Sequence, residues 1–432
     1  MKIMKFLVVF MMMIMMTSLK KSVFIYSLIT VLFNLNLQKQ EVSKISYFLW
    51  GDELSFWTFN LAIWITFVLI FNKINLPKIY NKSMFMMLVV LMLTFYSWNL
   101  MMFYLMFEMS MIIVLSIIMT WGYQPERVEA ALLMIMMTVL TSLPFIISMM
   151  NNSTNLNLWN IQYMKINSWE YMSLMLVFMM KMPTMFLHMW LPKVHVESPV
   201  QGSMILASVL LKLGSYGLIR VTSINSDLNS KLEWMIMSFS VWTSLIMAMI
   251  CFTQTDLKTM IAYSSVIHMT IVFAAITLNK SKAMMGSMYI MIGHGMCSAG
   301  LFYMANVMYK ISKSRSIIIN KGIFSMAPTA TMMWFFLCMG NSPMPPSINI
   351  VGEFFSFKSM MNWSSTTLMI TTMAMIMFMS SLYSVFMFYI MTHGIYEKSM
   401  SIKNFNSKNM NICIMNIIPM ILISVDPDLL TI

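Results

Sequence analysis

Residues 181–220 read KMPTMFLHMWLPKVHVESPVQGSMILASVLLKLGSYGLIR, and the rest of the chain is best interpreted outward from them. An apolar run reaches this stretch from Trp169, so we expect it to lie at membrane depth. It nevertheless contains three lysines, a glutamate and two histidines, and Pro183, Pro192 and Pro199 interrupt any helix. A charge at the bilayer centre costs about 2.5–3.5 kcal/mol, and proline leaves a carbonyl that lipid cannot satisfy. The stretch therefore predicts a broken helix packed among other helices, as in the ion sites of transporters.

The composition excludes an ordinary soluble protein. Of the 432 residues, 59% are hydrophobic and 10% are charged, and the mean hydropathy is +0.77. Soluble domains contain about 25% charged residues. The sequence predicts an all-α, polytopic transmembrane helix bundle of about 13–14 spans, at about 20 residues a span. The first two expected spans are residues 3–19 and 22–37, and whether the short second one crosses the membrane stays open.

The net charge of +12 does not indicate nucleic-acid binding. The lysines stand singly or in small groups between apolar runs, which is typical of loop charges that set topology. We expect them to contact anionic lipid headgroups. The four cysteines lie in apolar segments without C-x-x-C spacing, so local sequence favours core residues over a metal or iron–sulfur site.

Methionine is greatly over-represented, with 62 residues at positions where leucine, isoleucine or valine would serve. An adaptable binding surface would concentrate the methionines, but they are spread along the whole chain. Translation in a mitochondrion that reads an isoleucine codon as methionine explains this distribution better. No Arg- and Ser-rich transit peptide precedes the first apolar run, which also favours a mitochondrially encoded protein of the inner membrane.

Five ionisable residues fall inside expected spans. Glu108 lies near the middle of the span 99–120, too deep for a short side chain to reach the surface. It is either a protonated glutamate bonded to a neighbouring helix or an ion-site carboxylate. Ionisable groups in the membrane mark ion and proton pathways. The other four are Lys181 in the expected span 170–190, Lys212, His294 and Glu353.

The remaining histidines allow more than one interpretation. His188 and His195 are separated by Pro192, and no H-E-x-x-H motif is present, so a proton relay or loop anchoring is favoured over metal binding. Ser264 and His268 share a helix face at i, i+4 spacing. That pair is either a proton-hopping strip or a serine bonded to its own backbone. The glycines of Gly293-His294-Gly295 indicate close helix packing rather than a dinucleotide loop.

A second proline break, at residues 341–346, precedes Glu353 inside an apolar run over 326–361. The two breaks occupy comparable places in two successive halves, a pattern typical of inverted-repeat transporters. We therefore predict two inverted five-helix repeats with two broken helices. The predicted division of the chain is N-terminal helices over 1–82, repeats over 83–220 and 232–391, and a tail with a final helix over 392–432.

The buried ionisable groups predict a water-bridged proton relay. Its members would be Glu108, Lys181, Lys212, His294 and Glu353, with His195 and His268 as possible additions. If Glu108 and Lys181 are adjacent, each lowers the cost of burying the other. Separate structural salt bridges are the alternative.

Several motifs carry a family resemblance. They are FEMS around Glu108, WGYQPER at 121–127, LPKVHVESPVQGSMILASVLLKLG at 191–214, QTDLKTMIAYSSVIHM at 254–269, GHG at 293–295 and MPPSINIVGEFFSF at 344–357. In this order they resemble the subunit 4 family of mitochondrial NADH:ubiquinone oxidoreductase (complex I), an antiporter-like membrane family. The match covers about residues 95–390, and the first 80 or so match only in hydropathy. Ser215 and Gln201 depart from the family pattern, which concerns helix packing only.

The resemblance implies a membrane-arm subunit that moves protons across the mitochondrial inner membrane. It places the family's channel pair on Glu108 and Lys181, its central lysine on Lys212 and its terminal glutamate on Glu353, with His294 between them. NADH, FMN, iron–sulfur clusters and ubiquinone would be bound by other subunits, with no cofactor in this chain. A sodium/proton antiporter subunit of the same fold is the alternative. A purely structural scaffold is disfavoured because it gains nothing from the buried Lys212.

Overall fold

The computed structural model describes residues 43–44, 50–72, 78–122, 124–151, 167–224, 226–364, 366–394 and 407–427. The expected spans 3–19 and 22–37 lie outside these residues. A short antiparallel pair, β1 (Ser43–Lys44) and β2 (Trp50–Gly51), precedes the helices. The helices are α1 (Glu53–Asn72), α2 (Lys78–Phe95), α3 (Leu100–Trp121), α4 (Arg127–Asn151), α5 (Ser168–Lys181), α6 (Trp190–Glu197), α7 (Val200–Ile205), α8 (Leu211–Ile224), α9 (Ser226–Phe252), α10 (Leu257–Thr277), α11 (Ser281–Ser312), α12 (Pro328–Asn341), α13 (Ile348–Trp363), α14 (Thr367–Thr392) and α15 (Ser407–Val425).

Nine helical segments within the described part of the chain are long and apolar enough to cross a membrane. They comprise α1, α3, α4, the continuous run from α7 into α8, α9, α10, α11, α14 and α15. The prediction of an all-α polytopic membrane bundle is confirmed. The proposed repeat boundaries stay a prediction.

Both predicted breaks are present, and each is bridged by a side-chain donor. The helix expected over 170–190 ends early, with α5 stopping at Lys181 because Pro183 restricts the residue before it and has no N–H. Trp190 Nε1, at the start of α6, donates to the Met180 carbonyl at 3.3 Å. At the second break, Asn349 Nδ2 on α13 donates to the Gly340 carbonyl on α12 at 2.8 Å. Carbonyls freed at membrane depth are thus satisfied within the protein.

Helix α11 and the continuous run from α7 into α8 are the most deeply buried of the described spans. In the most apolar stretch of α11, 94% of the residues are buried. In that of α4 the share is 39%, so α4 leaves a broad apolar face outward. Glycines let α13 approach α11 closely. A Cβ on Gly286 would lie 2.9 Å from the Gly352 carbonyl, and one on Gly293 would overlap Asn349. The close packing predicted from these glycines is confirmed, and it brings Glu353 towards the middle of the bundle.

Candidate functional site

Lys212 is placed by an irregularity in its own helix. A π-helical turn, Leu206–Leu210, joins α7 to α8 immediately before it. Such turns are rare and frequently occur at functional sites. Lys212 Nζ donates back to the Ala207 carbonyl at 2.7 Å and lies 2.9 Å from His294 Nδ1 on α11. Both side chains are at most 2% exposed, so the ammonium group has two protein partners in place of water.

The polar contacts continue from His294 to Glu353. The rings of His294 and His268 are 5.5 Å apart between centroids, without a direct hydrogen bond joining them. His268 Nδ1, on α10, lies 3.0 Å from Glu353 Oε1 on α13. Its Nε2 lies 3.2 Å from the hydroxyl of Tyr383 on α14. Lys212, His294, His268 and Glu353 form what we call the polar row, a buried line of ionisable groups contributed by four helices.

The polar row is chemically suited to proton transfer. Lysine, imidazole and carboxylate groups each exchange one proton, and two of the three intervals are hydrogen-bond contacts. The third, between the two rings, is short enough for one water molecule or a ring rotation to close. Glu353 Oε2 is buried without a hydrogen-bond partner, so the carboxylate retains capacity for a further proton or water.

Glu108 and Lys181 form a second, sparser site. Lys181 Nζ lies 4.5 Å from the centre of the Phe107 ring and has no hydrogen-bond partner. Glu108 Oε1 is also buried without one. The two charges attract each other, but they are not ion-paired. The expected mutual compensation is therefore electrostatic and does not involve a direct contact.

The ion pairs of the described residues lie elsewhere. Apart from His268 with Glu353, they join Asp52 to Arg220 at 2.7 Å and Glu197 to Arg315 at 3.9 Å. Asp52 precedes α1, and burial raises the pKa of its carboxyl although the neighbouring Arg220 opposes the shift.

The other candidate residues are not in hydrogen-bond contact with the polar row. His195 stacks on Phe302 with centroids 4.7 Å apart, and both of its ring nitrogens are buried without a partner. His188 lies in the break between α5 and α6 and is half-buried. Ser264 Oγ donates to its own helix, at Ile261, so it is not a hopping partner of His268.

Sequence reasoning missed two residues. Tyr383 is one of 16 tyrosines, and its sequence context gives no signal for its contact with His268. Lys258 is 7% exposed and donates to the carbonyls of Val196 and Ser198, at 3.3 and 3.1 Å. It therefore holds the C-terminal end of α6, the half-helix that carries His195. The sequence signal for Lys258 was its position as the second residue of an apolar helix, α10.

The four cysteines lie in the interior of the bundle. Cys251, Cys297, Cys338 and Cys413 are all buried and free, which confirms them as core residues. Within the part of the chain that the structure describes, no three His, Cys, Asp or Glu side chains are grouped to hold a metal ion.

Known proteins resemble this chain in sequence and in fold. Residues 97–380 match the family model described as NADH:quinone oxidoreductase/Mrp antiporter, TM. NADH-ubiquinone oxidoreductase chain 4 of Ceratitis capitata is 40% identical over 81% of this chain and 80% of its own length. The fold matches a chain of respiratory complex I from Thermus thermophilus with bound NADH, with a TM-score of 0.85, 19% identity and coverage of 94% and 90%. It also matches a chain of the Mrp complex from Dietzia sp., with a TM-score of 0.80, 15% identity and coverage of 93% and 46%.

Proposed function

The chain belongs to the NADH-ubiquinone oxidoreductase chain 4 family, and on that premise we propose that it is a proton-translocating subunit of the membrane arm of complex I. Its proton transfer would be coupled to NADH oxidation and ubiquinone reduction in other subunits. The chain would be a multi-pass protein of the mitochondrial inner membrane, encoded in the organelle. Its partners would be other membrane-arm subunits and anionic lipids, with NADH, FMN, iron–sulfur clusters and ubiquinone bound outside this chain.

One observation carries this proposal, namely the polar row. A scaffold would not assemble Lys212, His294, His268 and Glu353 from four helices in the buried interior of the bundle, because each charged form is costly to bury. Hydrogen bonds at 2.9 and 3.0 Å connect the ends of the row to the two histidines. The arrangement accepts a proton at one end and delivers it at the other without moving a helix.

Proton movement along the row follows from the contacts. A proton on the Lys212 ammonium passes to His294 Nδ1, which supplies the lone pair at 2.9 Å. Reorientation of His294, or one bridging water, brings the proton to His268. His268 then passes it to the Glu353 carboxylate through Nδ1. The first two steps move a positive charge along the row, and the last step neutralises the negative charge of Glu353. A change of charge near the row therefore determines the direction of proton movement.

Glu108 and Lys181 would supply that change of charge. Because Lys181 Nζ and Glu108 Oε1 have no hydrogen-bond partner, their positions depend on the attraction between the two charges and on the Phe107 ring beside the ammonium. Separation of the pair, or protonation of Glu108, would release the Lys181 charge towards α8, which packs on α5. Gly214 on α8 makes this approach close, since a Cβ there would lie 2.9 Å from Lys181 Cβ. The pair thus acts as the input to the row.

The alternative is a sodium/proton antiporter subunit, which the fold match to the Mrp complex favours. The two functions differ in their dependence on sodium. An antiporter moves protons at a rate set by the sodium gradient, whereas the proposed subunit moves protons only during NADH oxidation.

The experiment replaces Lys212 by methionine, which retains bulk and removes the charge. The change is made at the equivalent position of a bacterial complex I reconstituted in vesicles, and proton uptake and NADH:quinone turnover are recorded together. Lys193→Met, which removes an exposed lysine of α6, is the matched control. We expect turnover and proton uptake to fall together in Lys212→Met, by about tenfold or more, and to remain normal in the control.

Normal turnover with a normal proton yield in Lys212→Met would show that the lysine is structural and that the polar row is not the path. Proton uptake that requires a sodium gradient and persists without NADH would instead identify the antiporter.

A further inference from the structure

We propose that Tyr383 is a positioning residue of the proton path, a role that rests on the proposed function. Its hydroxyl lies 3.2 Å from His268 Nε2, while His268 Nδ1 lies 3.0 Å from Glu353 Oε1. Tyr383 comes from α14, which contributes no member of the polar row. Its contact adds a fifth helix to the site.

The two hydrogen bonds fix the orientation of the His268 ring. His268 and Tyr383 are both fully buried, so bulk water does not compete with the hydroxyl at Nε2. A half-turn of the ring would place Cδ2 where Nδ1 lies and Cε1 where Nε2 lies, so carbon atoms would face the carboxylate and the hydroxyl. The hydrogen bond at Nε2 therefore holds Nδ1 against Glu353 Oε1, and the proton is delivered to this oxygen.

A tyrosine oxygen can serve both charge states of the imidazole, because it accepts from an N–H in either state. When His268 is protonated, both nitrogens donate, Nδ1 to Glu353 and Nε2 to the Tyr383 oxygen. Once Nδ1 has given its proton to Glu353, Nε2–H still donates to Tyr383, and Nδ1 is left with the lone pair that takes up the next proton. Tyr383 keeps its own proton throughout, so it positions His268 without carrying the transferred proton.

The charged and titratable surroundings of His268 are few. Glu353 on α13, Tyr383 on α14 and His294 on α11 face it directly. Lys212 on α8 and His195 on α6 interact electrostatically with His294, and Cys251 on α9 and Cys297 on α11 with Tyr383. Among these groups Tyr383 alone contacts Nε2, so removal of its hydroxyl changes one partner of one nitrogen.

Removal of the hydroxyl should affect the protonated form of His268 more than the neutral form. An unpartnered N–H on a buried cation costs more than an unpartnered N–H on a neutral ring. Loading of His268 would then require a higher proton concentration. Because activity falls at high pH when loading fails, the alkaline limb of coupled turnover should move to lower pH.

The test compares Tyr383→Phe with Tyr303→Phe in reconstituted complex whose subunit has tyrosine at both positions. Tyr303 is equally buried and donates one hydrogen bond, to Asn409 Oδ1 at 2.8 Å, away from the polar row. We expect the alkaline limb to shift by about one pH unit in Tyr383→Phe, a tenfold change in loading, and not to shift in Tyr303→Phe. Equal profiles in the two variants would overturn the proposal.

A second variant retains the fold if Tyr383→Phe assembles poorly. A monofluorinated tyrosine at position 383 keeps the shape and the hydroxyl but makes its oxygen a weaker acceptor. It should shift the limb in the same direction by a smaller amount, and an unshifted profile would contradict the proposal.

Lys212→Met, measured in parallel, separates this inference from the proposed function. If Lys212→Met is harmless, the proton path fails whatever Tyr383 does. If Lys212→Met abolishes pumping while both tyrosine variants behave alike, the path stands and the role of Tyr383 is wrong.

Discussion

The two polar sites of this bundle differ in the number of hydrogen-bond partners that their ionisable groups have. In the polar row each ionisable group has a protein partner: Lys212 has the Ala207 carbonyl and His294, and His268 has Glu353 and Tyr383. In the pair of Glu108 and Lys181, the ammonium lies over the Phe107 ring and makes no hydrogen bond. One oxygen of the carboxylate is buried without a hydrogen-bond partner. The row distributes its charge over a network, whereas the pair relies on one electrostatic attraction.

This difference determines how strongly each site responds to the substitution of one of its residues. In a hydrogen-bonded network, a lost partner leaves other partners in place. In an isolated buried pair, removal of one charge leaves the other uncompensated, which costs several kcal/mol in typical proteins. Substitutions of similar size should therefore have larger effects on stability at the pair than at the row.

The largest predicted effect comes from the same substitution made in both sites. Glu108→Gln should clearly lower the thermal midpoint of the assembled complex, because Lys181 loses the one charge that stabilises it. Glu353→Gln should lower the midpoint less, because the amide oxygen still accepts from His268 and Tyr383 still holds the ring. Both variants should reduce NADH-driven proton uptake by about tenfold or more, since an amide cannot take up the proton. A larger fall of the thermal midpoint in Glu353→Gln than in Glu108→Gln would reverse the comparison.

A smaller effect is predicted for the packing that supports the row. In Gly293→Ala, the new methyl group would overlap Asn349 and Ile348 at the second break. Overpacking of a dense core costs about 1–3 kcal/mol, so we expect a lower thermal midpoint of the assembled complex and weaker contact between His294 and Lys212.

Gly202→Ala is the matched control for this prediction. A Cβ on Gly202 would meet its neighbours at 3.4–3.5 Å, an ordinary contact, so stability should stay unchanged. Equal melting of the two variants would show that the approach of α13 to α11 relaxes freely.

The smallest effect is predicted for Ser264→Ala. Ser264 Oγ donates to the Ile261 carbonyl at 2.8 Å in its own helix and makes no bond to His268. Proton uptake should remain within experimental error of the unmodified complex. A clear loss would mean that the serine rotates into the path, and the row would then have a branch along α10.

Much of the fold could be predicted from particular residues. Pro183 and the prolines at 343, 345 and 346 located both breaks, because proline lacks an N–H wherever it occurs. The end of α5 at Lys181 was missed by several residues, since apolar composition continues to Trp190 after helical hydrogen bonding has stopped. Hydropathy reports burial in lipid, and it does not report where a helix loses its donors.

The structure brings the residues of the polar row together, but the sequence did not show which of them are in contact. Glu353 and His294 were identified because a charge or imidazole inside an apolar run is conspicuous in any sequence. Tyr383 was not, because a tyrosine in an apolar helix is ordinary. Glu108 and Lys181 were expected to lower each other's cost of burial if adjacent, and the structure leaves them without an ion pair.

The sequence by itself determined that this chain is a helical membrane protein with two broken helices and ionisable groups at membrane depth. These are local properties, set by the transfer cost of each side chain and the hydrogen-bonding capacity of each backbone unit. The tertiary structure alone decided which atoms meet. Lys212 meets His294 across 82 residues, and His268 meets Glu353 across 85. Helical periodicity assigns a residue to a face, but the close approach of helices at glycines such as Gly286 decides which face lies opposite.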